Sequence, residues 1–226
     1  MAKTTLCLSF LLLCLPVCAY AVCGDDLEGV RRELTTEEEG IRTTEQAVRA
    51  AKADFLSRDA TLRGVMANPP AGYDQSLARR LVELRRTEVE SKRAMLERLR
   101  AQHEEGRKQW ERGHQMLYSQ FVQARAALQE QRISQDEYCR VREAYGQALR
   151  MYRDGMQGYR TGMDLYARAL TAYAERFLVP YAQGFSDREQ WVRLIQQLER
   201  GDFLQDLLVP MTANAVRSTP PEAPPE

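Results

Sequence analysis

Few residues in this chain could do chemistry. Among 226 residues there are two histidines, His103 and His114, and five cysteines. The histidines stand eleven residues apart. On one helix that is about 16 Å of rise, too far to share a metal ion. His103-Glu104 is followed by Arg107 where a zinc-peptidase helix carries its second histidine. Glu111-x-x-His114 is half of the pairing used in di-iron bundles, and the sequence holds no second pair. No glycine-rich loop leads out of a strand, so nucleotide-binding motifs fail. The expectation is a protein that is not an enzyme, with no catalytic, cofactor-binding or metal-ligating residues and no cofactor.

The cysteines have a different use. Cys7, Cys14 and Cys18 fall in the first 21 residues, which read as a secretory signal peptide. Lys3 gives the positive start, Leu6 to Val17 the apolar run, and Ala19-Tyr20-Ala21 a small-x-small cleavage site. The run is too short to span a membrane, and no other stretch reaches the roughly 18 apolar residues a spanning helix needs. A lipid-modified Cys23 would need a small residue before it and a leucine two places further back. Val22 and Tyr20 stand there instead. Beyond the signal, Cys23 and Cys139 are the two cysteines left, an even number in an oxidising compartment, which points to one disulfide. The expected location is exported: periplasmic, with the extracellular space as the alternative.

Charge excludes another class. Lys plus Arg and Asp plus Glu are 32 each, and without Lys3 the balance is 31 to 32. A neutral chain has no electrostatic case for nucleic acid.

The elements that would carry these residues are set by proline. Between Pro16 and Pro69, and again between Pro70 and Pro180, there is none. Leu27, Leu34, Ile41, Val48, Phe55 and Leu62 recur every seven residues, which predicts a first helix over 25–66. Asn68-Pro69-Pro70-Ala71-Gly72 breaks the chain and turns it back. A second helix over 74–131 carries Leu77, Leu81 and Leu84. It is then interrupted by Glu88 and Ser91, and resumes at Leu96, Leu99, His103, Gly106, Trp110, Gly113, Leu117, Phe121, Ala124 and Leu128. Ser134-Gln135-Asp136-Glu137 is a capping box that starts a third helix, running over 135–178 until Pro180 stops it. Residues 180–208 form a short amphipathic segment with Trp191, Leu194, Ile195 and Leu198 on one face, ended by Gly201. From 209 to 226 the chain reads as a Pro-rich, disordered tail. The predicted fold is all-α: an elongated antiparallel three-helix bundle, or coiled coil, over 22–179 with that short helix after it.

The third helix carries the most specific pattern. Tyr138, Tyr145, Tyr152, Tyr159, Tyr166 and Tyr173 recur every seven residues. Three places after them stand Val141, Ala148, Gly155, Gly162 and Ala169, and four places after stand Leu149, Met156, Met163, Leu170 and Phe177. These columns make one broad apolar face. Tyrosine suits the margin of a seam, with its ring buried and its hydroxyl wet. A hairpin turning near residue 132 puts Tyr152 opposite Gly113 and Tyr159 opposite Gly106, which predicts ring-into-glycine packing. The same counting sets Cys23 about nine residues from Cys139, about 13 Å along the bundle, a gap that extended residues 23–26 cover.

The first helix is shorter than the second, so one end of the hairpin lacks a neighbour. Phe121 and Leu128 there, with Trp191, Leu194, Ile195 and Leu198, are the candidate surface for a protein partner or a second copy in a homodimer. The functional expectation is an exported helical scaffold or interaction protein of the cell envelope or a secreted assembly. A periplasmic holdase, using Met95, Met116, Met151, Met156 and Met163 as an adaptable client surface, is the alternative.

Overall fold

The computed structural model describes residue 23 and residues 26–69, 75–183 and 188–218. The expected signal peptide with its cleavage site, and residues 219–226 of the expected tail, lie outside these. Among the described residues there are helices and no strand, an all-α bundle of long packed helices. No helix among them is long and apolar enough to cross a membrane.

The order is α1 (Leu27–Ala67), α2 (Gln75–Leu84), a π turn (Arg85–Val89), α3 (Glu90–Gln129), α4 (Gln135–Tyr173), a second π turn (Ala174–Leu178), α5 (Val179–Ala182), α6 (Arg188–Arg200) and α7 (Gln205–Ser218). Asp26 caps α1, its carboxylate accepting the Gly29 N–H at 2.8 Å. Ser134 and Glu137 cap α4 reciprocally: the Ser134 N–H donates to the Glu137 carboxylate at 2.8 Å, and the Glu137 N–H donates to Ser134 Oγ at 3.2 Å.

The first π turn accounts for the interruption at Glu88. In a regular helix, four residues after Leu84 comes Glu88, whose carboxylate would enter the core. The π turn inserts one residue, so fully buried Val89 takes that place instead. Leu96, Leu99 and His103 then follow in phase, all buried.

The second π turn corrects the expectation that Pro180 stops the third helix. The Val179 N–H donates to the Ala174 carbonyl, and the helical path continues through Pro180 to Ala182. Pro180 follows the π turn directly; it cannot donate to the turn before it, yet the path continues for two more residues.

The chain folds into two compact units. The first comprises the described residues up to Thr35 together with Trp110–Arg153. Its core holds Leu27, Leu34, Phe121, Tyr138, Tyr145, Leu149 and Tyr152. The second comprises Thr36–Gln109 and the described residues from Asp154 on. Its core gathers Phe55, Leu62, Leu96, Tyr166, Tyr173, Phe177, Leu178, Trp191, Leu198, Phe203, Leu208 and Met211. Trp191, Leu194 and Leu198 are therefore core residues, and Ile195 packs beside them. They are not a partner surface: the apolar stripe of α6 is consumed by this core, Trp191 lying against Tyr181 with ring centroids 6.1 Å apart.

The tail is shorter than expected. Residues 205–218 form α7 despite Pro210, with Met211 and Ala215 buried in the second unit. Proline removes one helical N–H, and the burial of Leu208, Met211 and Ala215, every three or four residues, outweighs that loss.

Candidate functional site

All six tyrosines of the ladder are buried. The hydroxyls of Tyr145, Tyr159 and Tyr166 meet protein groups where the sequence suggested water. In the second unit, Tyr166 Oη donates to Glu97 at 2.6 Å and Tyr159 Oη to Glu45 at 3.3 Å, while the Arg107 guanidinium stands 5.1 Å over the Tyr159 ring. Burial pushes the Tyr159 hydroxyl up to about 12, against the pull of Arg107. Tyr166 is raised too, by burial first and then by its bond to Glu97. Burial alone would raise Glu97, but the bonds it accepts from Tyr166 and Arg100 hold it below the ordinary carboxylate range.

In the first unit the ladder forms an aromatic stack. The His114 ring lies parallel to Tyr152 at 4.5 Å, and Phe121 stacks on Tyr145 at 4.7 Å. His114 Nε2 is 3.4 Å from Tyr145 Oη. Burial raises the Tyr145 hydroxyl, opposed by its bond with Arg31.

Ring-into-glycine packing at Gly113 is not formed. A Cβ built on Gly113 would meet nothing within 4 Å, and the residue that meets Tyr152 is the next one, His114. The hairpin level was legible and the rotation of α3 was not: each turn advances 100° per residue, so a one-residue error exchanges facing for flanking. Gly106 is buried, and its neighbour Arg107 stands over the Tyr159 ring. Gly162 receives the His103 ring.

Cys23 and Cys139 lie at disulfide distance, with sulfurs 2.04 Å and Cα atoms 5.4 Å apart. Arg142 donates to the Cys23 carbonyl at 2.6 Å. Further along, Arg153 pairs with Glu33. The bond occupies the Cys23 sulfur, so a lipid cannot share it.

Cys23 lies beside Cys139, and α1 begins at Leu27, with Glu33 beside Arg153. A groove of about 800 Å³ lies between the end of α3 and the start of α4, lined by Ala124, Ala126, Ala127, Ile133 and Val141, with Gln120, Gln123, Arg132, Glu137 and Arg140 around it. Phe121, expected at this surface, is 7% exposed and stacked into the core, and Leu128 is half-buried. Ala124 and Val141, which the sequence assigns to the seam, line the groove instead. Ile133 stands in a turn between polar residues, where no periodicity marks it.

The turn itself is a Schellman-type end. Arg132 N–H donates to the Ala127 carbonyl at 2.8 Å and Gln131 N–H to the Leu128 carbonyl at 3.0 Å, with Gln131 left-handed at φ 57°. Gly201 ends α6 in the same way, at φ 73°. On the side of the hairpin, Met116, Tyr118, Val122 and Met151 are exposed, Met116 to 58%. Met156 and Met163 are buried, so the methionines split between core and surface.

Among the described residues no three metal-ligating side chains gather. Neither protein-family models, nor curated proteins, nor solved structures match this chain.

Proposed function

We propose that this is an exported, non-enzymatic interaction protein of the cell envelope or a secreted assembly, and that the tip of its α3–α4 hairpin takes an amphipathic helix of a protein partner. The observation that carries this reading is the groove between the end of α3 and the start of α4. A groove between two antiparallel helices offers the shape of a helix seat. Its floor of Ala124, Ala127, Ile133 and Val141 suits a narrow apolar stripe, and Arg140 on its margin suits an acidic residue flanking that stripe. Export is supported by the Lys3-to-Ala21 pattern and by a cysteine pair that persists only in an oxidising compartment. A periplasmic home fits both.

The test is binding of a partner captured from the envelope to the purified chain and to Ala124→Glu and Val141→Glu variants. The reading expects affinity to fall at least tenfold in both variants with helicity unchanged. Equal affinity in all three would overturn it. Sedimentation of the purified chain alone separates the case in which the partner is a second copy.

The holdase reading draws on one observation, the exposure of Met116, Tyr118, Val122 and Met151 on the first unit. Suppression of aggregation of an unfolded client, lost in a Met116→Ser/Met151→Ser variant, would favour it over a dedicated partner.

A further inference from the structure

His103 is the buried imidazole of the second unit, 3% exposed. It is wedged between two elements. On one side is α4: a Cβ at Gly162 would stand 2.5 Å from the ring, so the ring fills the space a side chain would need. On the other side is α7: the ring hydrogen-bonds the Met211 backbone, in the sense that favours a charged ring, as a carbonyl acceptor does. Three residues further, Asn214 Nδ2 donates to the Gly158 carbonyl at 2.7 Å. The part of α7 beyond Pro210 is thus attached to the Gly158–Gly162 face of α4 by His103, Asn214 and the buried Met211 and Ala215. The helix is weak in itself. Pro210 removes an internal bond, and Leu204, just before its start, is held left-handed at φ 59°.

We propose that His103 is an acid-sensitive latch for the C-terminal helix: protonation of its ring releases residues 211–218 from the Gly158–Gly162 face of α4.

The charged groups around the latch are already engaged. On its own helix, Arg107 pairs with Glu45 of α1, and Arg100 with Glu97 and Glu104. From α4, Tyr159 bonds Glu45 and Tyr166 bonds Glu97. From α7, the residues at the contact are Met211, Asn214 and Ala215, which do not titrate, and Asp206 at its start is held by Arg176 at 2.9 Å. What acts on His103 is burial first, which lowers its affinity for a proton, and then the Met211 carbonyl, which opposes it. The sign follows. The native ring binds a proton less readily than the free one, so docking is complete above the ordinary histidine range and is lost as pH falls below it.

The test is amide hydrogen exchange on the full chain at pH 7.5 and pH 5.0, corrected for intrinsic rates. Protection of residues 211–218 should fall on the order of tenfold at the lower pH, with residues 110–153 unchanged. In His103→Leu the pH effect should vanish. Should that variant fail to fold, the His103 Cε1 proton in the wild-type chain should titrate below the ordinary histidine range, together with the Met211 and Asn214 amides. Protection that does not change with pH, or that falls equally in His103→Leu, or amides that stay still while His103 titrates, would overturn the latch.

Discussion

The His103 imidazole occupies the space that a side chain at position 162 would need, with ring atoms 2.5 Å from where a Cβ would stand. Gly162 is therefore required by packing, whereas Gly113, with nothing within 4 Å, is not. Gly162→Ala should lower stability by about 1–3 kcal/mol, the usual range for overpacking a filled core. Gly113→Ala should raise it by about 0.5–1 kcal/mol through helix propensity alone. Thermal unfolding of the two variants checks the pair, and the same sign for both would refute the assignment.

Tyr166 and Glu97 form a shorter hydroxyl–carboxylate bond than Tyr159 and Glu45, at 2.6 Å against 3.3 Å. Tyr166→Phe should cost about 1–2 kcal/mol, the lower part of the range for a bond to a charged group, because Glu97 is partly exposed to solvent. Glu97 sits below its ordinary value, so its contribution is present above the carboxylate range and is lost as pH falls through it. In the variant burial remains while one opposing bond is gone, so this acid-sensitive component should shrink. Urea titrations at pH 7 and pH 3.5 measure both effects, and an unchanged pH difference would contradict the pairing.

The Cys23–Cys139 bond closes a loop with a sequence separation of 116. A loop of that size gives on the order of 4–5 kcal/mol in the chain-entropy model. Cys139→Ser should lose a large part of it, and a reductant should have the same effect on the wild-type chain and none on the variant. Non-reducing peptide mapping that finds two free thiols in the exported protein would contradict this pairing.

Gln131 adopts a left-handed conformation that glycine takes without penalty, as Gly201 does at the end of α6. Gln131→Gly should stabilise the hairpin turn by about 1 kcal/mol. A lower melting temperature in this variant would show that the Gln131 side chain supports the tip in a way the backbone does not require.

The sequence made the helices legible because heptads of Leu, Ile and Tyr leave little choice of face. Helix starts were equally plain at Ser134, where two side chains reciprocally satisfy orphan N–H groups. The first π turn was present in the sequence as a five-residue step from Leu84 to Val89, which counting by threes and fours turns into an interruption at Glu88. Rotation was not legible. Whether Gly113 or His114 faces Tyr152 depends on about 100° of azimuth, which spacing along one helix does not fix. Burial of α6 was also hidden: an amphipathic stripe looks the same whether it covers a core of its own chain or awaits a partner. The groove escaped notice for a related reason, since alanines mark both tight seams and shallow seats.

The most direct test of the proposed role is site-specific photo-crosslinking in producing cells, with the probe at Ala124 or Val141 and a control probe at exposed Val192 on α6. The account predicts one discrete crosslinked protein from the two groove positions, absent from the control and lost when Val141→Glu is combined with the probe at Ala124. The same products from all three positions, or none from the groove, would contradict it.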